Sequence, residues 1–280
     1  MTRPSHLKSA CGLMAAAAIL SAAPADAVTI TASFAPIRIT ARPGELVTSS
    51  YSLKVAAGEP SAHFKADIQD WWRSEDGRQS FYAAAGSLGR SCGKWVAASP
   101  REAAVAGGDT LQVRLTITVP PDTKAGGYWC ALTVDEVPEP LAATPEGVGV
   151  RFLASVSTGI YIYVGTIERG LEILSVDIAA DRAVFRVQNT GNTPVPVEGR
   201  LEFLRAGDDK PVAVAELPRN ILLTEPIATG IYSVDLPPTS ALPTGHYVVR
   251  LLLDIGADHY IGAQRELDLH RVTPGAADRH

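Results

Sequence analysis

The sequence predicts an all-β protein made of two tandem immunoglobulin-like β-sandwich domains behind a signal peptide. Three observations carry this. Apolar alternation with a period of two recurs in short segments, roughly every 8–12 residues, separated by Gly, Pro, Asn and Asp, and no segment has a convincing helical period. The stretch Gly126-Gly127-Tyr128-Trp129-Cys130 places a Tyr two residues before a Cys at a strand start, the sequence form of a tyrosine corner in such a sandwich. Thr244-Gly245-His246-Tyr247 then echoes Ala125-Gly126-Gly127-Tyr128, a weak internal repeat expected of two related sandwiches.

Residues 1–27 read as a secretory signal. Arg3 and Lys8 make a basic start, Gly12 to Leu20 is an apolar run too short to span a bilayer, and Ala25-Asp26-Ala27 is an A-x-A cleavage site. Removing Arg3, Lys8 and Asp26 leaves 23 of the 25 basic and 29 of the 30 acidic residues. That balance has no basic stripe, which excludes nucleic acid and anionic lipid as expected partners. No later stretch is long and apolar enough to cross a membrane as a helix, so no membrane insertion is expected after cleavage and the chain is expected in the periplasm or outside the cell.

Of the three cysteines, Cys92 and Cys130 survive cleavage. In an exported chain two cysteines most simply form one disulfide; the other reading is a pair of buried thiols. Closing a loop of about 39 residues stabilises the fold by roughly 4 kcal/mol in the chain-entropy account.

The first domain is expected over residues 28–166. Val28 to Thr40 contains Pro36 and reads as an edge or sheet-switching strand, since Pro cannot donate to a ladder. Leu46 to Ala56 turns Tyr51, Leu53 and Val55 inward, and His63 to Trp72 turns Phe64, Ala66 and Ile68 to one face. Arg73 to Gly93 reads as irregular, and Trp95-Val96 as a short extended piece closed by Ser99-Pro100. Thr110 to Val119 alternates throughout, with Leu111, Val113, Leu115, Ile117 and Val119 inward. In the strand that follows, Tyr128, Cys130, Leu132 and Val134 share one face. Trp129 shares the other, which points it outward or into a domain interface. Val137 to Gly147 reads as a loop. Val148 to Val164 resumes as one long or broken strand, with Ile160, Ile162 and Val164 alternating with Tyr161 and Tyr163.

Gly165 to Gly170 reads as a linker, and residues 167–272 as the second sandwich. Its strands are expected at Leu171 to Ile178, Arg182 to Gln188, Val197 to Leu204, Pro211 to Glu216, Ile231 to Leu236, Tyr247 to Asp254 and Tyr260 to Leu269. Asn189-Thr190-Gly191-Asn192 has the composition of a turn. Residues 273–280 read as a loose tail.

No chemistry is written in the motifs. No histidine pair has metal-ligand spacing, and Asp254, Asp258 and His259 are accounted for by a polar hairpin turn. G-x-S-x-G, phosphate-loop and dinucleotide patterns are missing. No enzyme activity, metal or cofactor is expected. Trp71, Trp72, Trp95 and Trp129 read either as packing around the cysteines and across strands or as an aromatic patch for sugar or peptide.

Several segments resemble the periplasmic pilus-chaperone superfamily of two immunoglobulin-like domains, in outline over most of the mature chain. Ala35-Pro36-Ile37-Arg38-Ile39-Thr40 resembles the family's first strand, with Arg38 where the family has a basic residue in its cleft. Lys94-Trp95-Val96-Ala97-Ala98-Ser99-Pro100 resembles the extended segment before a proline. Thr158 to Val164 resembles the last strand of the first domain. The resemblance implies a chaperone that caps pilus subunits by donating a strand, with two basic cleft residues on the subunit's C-terminal carboxylate. Tyr161 stands where the family would have a lysine. The second domain is similar to bacterial fibronectin-like modules, on Val187 to Asn192 and Gly245-His246-Tyr247-Val248-Val249.

The expected function is therefore non-enzymatic binding of another exported protein, a pilin-like or surface subunit, by β-strand addition. Arg38, Ile160, Tyr161 and Ile162 are the expected contact residues and Trp129 a candidate exposed aromatic. The chosen strand, Val148 to Val164, would equally serve as an ordinary internal strand. A cell-surface or peptidoglycan-binding module is the alternative, and an exported hydrolase the third.

Overall fold

The computed structural model describes residues 28–269 apart from 34, 83, 139–151, 180, 227 and 237–241. The signal peptide, most of the Val137 to Gly147 loop, the start of the Val148 strand and the tail lie outside the described residues. Seventeen strands and no helix are formed among the described residues.

The first sandwich is built from β1 (Ile30–Ala32), β2 (Ile37–Ala41), β3 (Leu46–Val55), β4 (Ala62–Arg73), β5 (Gln79–Tyr82), β6 (Val96–Ser99), β7 (Glu102–Val105), β8 (Thr110–Thr118), β9 (Gly126–Glu136) and β10 (Ser155–Val164). One sheet has the order β1-β3-β8-β6. The other has the order β2-β10-β9-β4-β5, with β7 also on β4. The first strand switches sheets: β1 pairs with β3, while β2, beyond Pro36, runs parallel to β10 in the opposite sheet. The stretch expected to be irregular, Arg73 to Gly93, contains β5, whose polar Gln79 and Ser80 hide its alternation.

The second sandwich comprises β11 (Leu171–Ile178), β12 (Arg182–Asn189), β13 (Val195–Arg205), β14 (Ala213–Leu222), β15 (Thr229–Asp235), β16 (Gly245–Asp254) and β17 (Ile261–Leu269). Its sheets are β11-β12-β15 and β14-β13-β16-β17.

Each sandwich closes over its own core. Leu53, Phe64, Leu115, Ile117, Leu132, Ile160 and Ile162 lie at the centre of the first, and Phe185, Val197, Phe203, Tyr247 and Leu251 of the second. A disulfide joins Cys92 to Cys130 inside the first core. The tyrosine corner is present twice. The Tyr128 hydroxyl donates to the Lys124 carbonyl at 3.0 Å, and the Tyr247 hydroxyl donates to the Pro243 carbonyl at 2.6 Å, both four residues upstream. The sequence echo thus marks one local device used in both sandwiches.

A third apolar cluster lies between the sandwiches: Trp71, Trp129, Ala131 and Tyr161 from the first, Leu223 from the second, with Ile221 packed against it. Trp129 is therefore not an exposed aromatic. It is 1% exposed, because the outward face of β9 is covered by the second sandwich, and its indole N–H donates to the Trp71 carbonyl. Burying an indole with its one donor satisfied is favourable.

Polar contacts hold the two sandwiches in one arrangement. The Gly127 amide donates to the Asn192 carbonyl at 2.9 Å. The tip of the β4–β5 hairpin reaches the second sandwich, where the Glu75 carbonyl accepts from the Ile231 amide at 2.7 Å. The Glu75 carboxylate pairs with Arg186 at 2.6 Å.

Candidate partner-binding strand and cleft

Alternation makes Ile160 and Ile162 one face of β10 and Tyr161 and Tyr163 the other, and burial shows which face is which. Ile160, Ile162 and Val164 are fully buried in the first core. The expectation that Ile160 and Ile162 meet a partner is thus corrected: their side chains are committed to this domain's own sheet-on-sheet packing. The backbone there is committed too. From Ile160 to Val164, β10 is paired with β9 on one side and with β2 on the other.

The first half of the strand differs. Ser155 to Gly159 pair with Asp135 to Ala131 of β9, and among the described residues no ladder forms on their other side. The Thr158 hydroxyl donates to the Ala35 carbonyl at 3.2 Å where the chain of β2 approaches. An unpaired half-strand presents amide donors and carbonyl acceptors at ladder spacing, the groups to which a further strand can be added. Just before it, Phe152 and Leu153 are 60% and 45% exposed, large apolar side chains without cover.

The open edge leads into a cleft of about 700 Å³ between the sandwiches. Arg38 and Tyr161 are register partners across the parallel β2–β10 ladder, so they enter side by side. Arg73, at the end of β4, comes from the other side of the same sheet. Arg169 and Arg219 come from the second sandwich. Among the described residues no carboxylate lines the cleft, though Arg219 Nε lies 4.0 Å from Glu198 Oε2. Sequence reading found Arg38 alone of these four cations. Arg73, Arg169 and Arg219 are far apart in the chain and stand in polar stretches, so only the docking of the sandwiches brings them together.

Arg73 is held in place. Its Nη2 donates to Gln79 Oε1 at 3.0 Å, and its guanidinium lies 6.0 Å from the Trp71 ring centroid. Its Nε is buried and has no hydrogen-bond partner among the described residues. Burial pushes the Tyr161 hydroxyl up to about 12, with Tyr163 adding to the rise and Arg73 and Arg38 opposing it. The phenol stays neutral and keeps its proton to donate. Four guanidinium groups and a neutral phenol form a site suited to an oxyanion, because guanidinium meets a carboxylate with two parallel N–H donors. Among the described residues no group of three His, Cys, Asp or Glu could hold a metal.

No family model matches the chain, and no curated protein matches it. Among solved structures it is similar to the class 5 fimbriae chaperone CfaA, at 12% identity and a TM-score of 0.48, over 85% of this chain and 99% of that one. It is also similar to the CupB2 chaperone of Pseudomonas aeruginosa, at 13% identity and a TM-score of 0.42, over 85% of this chain and 100% of that one. A third is the CsuC–CsuE chaperone–tip adhesion subunit pre-assembly complex from the archaic chaperone-usher Csu pili of Acinetobacter baumannii. There the identity is 16% and the TM-score 0.45, over 85% of this chain and 97% of that one.

Proposed function

We propose that this chain is an exported, non-enzymatic, chaperone-like protein that holds a pilin-like or surface subunit by β-strand addition. The first sandwich, residues 28–166, supplies the strand, and the second, 167–272, supplies the far wall of the cleft. The carrying observation is the half-open β10: among the described residues Ser155 to Gly159 lack a second ladder while Ile160 to Val164 have one. A subunit strand added there runs toward the arginines, and its terminal carboxylate is the one negative charge that every free C-terminus brings. Arg38 is one anchor. With Tyr161 at the position expected to carry a lysine, Arg73 supplies the second cation. The disulfide supports export, since such bonds persist in oxidising compartments.

The test is amide hydrogen exchange on the chain alone and in complex with a captured subunit. The expected result is new protection at Ser155 to Gly159, with β9 unchanged. Arg38→Ala and Arg73→Ala should each weaken capture about tenfold or more, the cost of losing one charge-assisted contact. Protection confined to another strand, or co-sedimentation with peptidoglycan in place of subunit capture, overturns the proposal.

A further inference from the structure

The outward face of the β10-β9-β4 sheet carries a step. Gly159 of β10 lies opposite Ala131 of β9, and Ala131 lies opposite Gln69 of β4. Two of the smallest side chains thus stand next to each other in one row. The adjoining row, two residues along each strand, holds Tyr161 and Trp129, which are themselves register partners. Trp71 packs edge-on against Tyr161, with ring centroids 6.2 Å apart and planes at 84°. The height difference leaves a depression of about 100 Å³ walled by Trp71, Phe81, Tyr161 and Ile221. Gly159 is needed at its rim, since a Cβ there would come within 2.9 Å of the Tyr161 ring.

The depression is continuous with the cleft, sharing Arg73, Tyr161 and Ile221 with it, and Ser157 to Gly159 of the open edge form its border. Among the described residues Arg73 is the only ionisable group lining it other than the buried phenol. Phe81 is 42% exposed at its wall, and the indole N–H of Trp71 has no hydrogen-bond partner among the described residues.

We infer that this depression takes the apolar final side chain of a polypeptide whose terminal carboxylate sits on the cleft arginines. The inference rests on the reading of the cleft given above and adds a preference for the last residue. Charge selects the carboxylate end, since four arginines line the cleft and, among the described residues, no carboxylate does; Arg38 and Arg73 carry this, as Arg219 already has Glu198 at 4.0 Å. The aromatic walls select an apolar group beside that end. The ladder groups of Ser157 to Gly159 select a peptide over a fatty acid, which brings a carboxylate and an apolar tail but no amides.

The test uses the whole chain and N-acetylated octapeptides of alternating threonine and valine that end in phenylalanine, alanine or aspartate, the first also as its C-terminal amide. Binding is followed through the indole N–H signals and by calorimetry. The phenylalanine peptide is expected to bind about tenfold tighter than the alanine peptide, the worth of burying a ring. Phe81→Ala should bring that ratio close to one while leaving the effect of amidation intact. Equal binding of the phenylalanine and alanine peptides, with amidation still harmful, removes the side-chain pocket and leaves the cleft reading standing. Indifference to amidation, or no binding by any peptide, removes both. Displacement of the peptide by octanoate at equal concentration makes the occupant an acyl chain and overturns the inference.

Discussion

The indole N–H of Trp129 donates to the carbonyl of Trp71 at 2.9 Å, across adjacent strands of one sheet and under the second sandwich. The bond ties β9 to β4 beyond the last residue at which the two are paired, Gln69 with Ala131. Trp129→Phe removes the donor, leaves a buried carbonyl unpaired and vacates the space of the second ring. The expected cost is about 2–3 kcal/mol, from one lost hydrogen bond and a small cavity. Urea unfolding of wild type and variant measures it; an unchanged midpoint would show that neither the bond nor the packing contributes.

Asp70 carries the prediction about acid. It is fully buried, and its carboxylate accepts from the amides of Gly86, Ser87 and Leu88 at 2.9, 2.7 and 3.0 Å. The hydroxyls of Ser87 and Ser91 also donate to it. Desolvation raises its pKa, and these hydrogen bonds together lower it further, leaving it below the ordinary carboxylate value. The folded state therefore holds its proton less tightly than the unfolded chain does. Its contribution is fully present above the ordinary value near pH 4 and is lost as pH falls through the depressed value. Asp70→Asn should cost about 3 kcal/mol at neutral pH, because an amide NH₂ then faces donors. The loop leading to Cys92 should loosen first. Stability measured from pH 7 to pH 2 should fall less steeply in Asp70→Asn than in wild type; parallel curves would assign the acid sensitivity elsewhere.

What the sequence showed and what it concealed divide along the range of the interactions. The corner at Tyr128 was legible because its hydrogen bond reaches only to Lys124. The Cys92–Cys130 pairing was legible because only two cysteines follow the signal. Alternation correctly set Ile160 and Ile162 on one face and Tyr161 on the other. It gave no sign of which face met the core, since both are apolar enough to be buried. For Trp129 alternation left two readings, outward or into a domain interface, and the second holds: a period of two assigns a side chain to a face and says nothing of what covers that face. The arginine cleft was illegible beyond Arg38 because Arg73, Arg169 and Arg219 meet only after two separately folded sandwiches dock.

That docking depends on a close approach at Gly127. The residue has no unusual backbone angle, so its lack of a side chain, and not its freedom of conformation, is what the site uses. Its amide donates to the Asn192 carbonyl, and a Cβ there would overlap the Thr193 hydroxyl and come within 2.8 Å of the Pro194 ring. Thr193 is fully buried, so it has little room to yield. Gly127→Ala should push the second sandwich away and weaken the contact by about 1–3 kcal/mol, the usual range for overpacking. Both cores stay intact, because the clash lies between them. The expected outcome is a change in interdomain orientation, read by residual dipolar couplings, and a split of the unfolding transition into two. Gly89→Ala, where a Cβ meets nothing within 4 Å, is the control and should leave both unchanged. If Gly127→Ala matched that control, the arrangement of the sandwiches would be set by the Glu75 contacts to Arg186 and Ile231 instead, and Glu75→Ala would be the variant that opens the cleft.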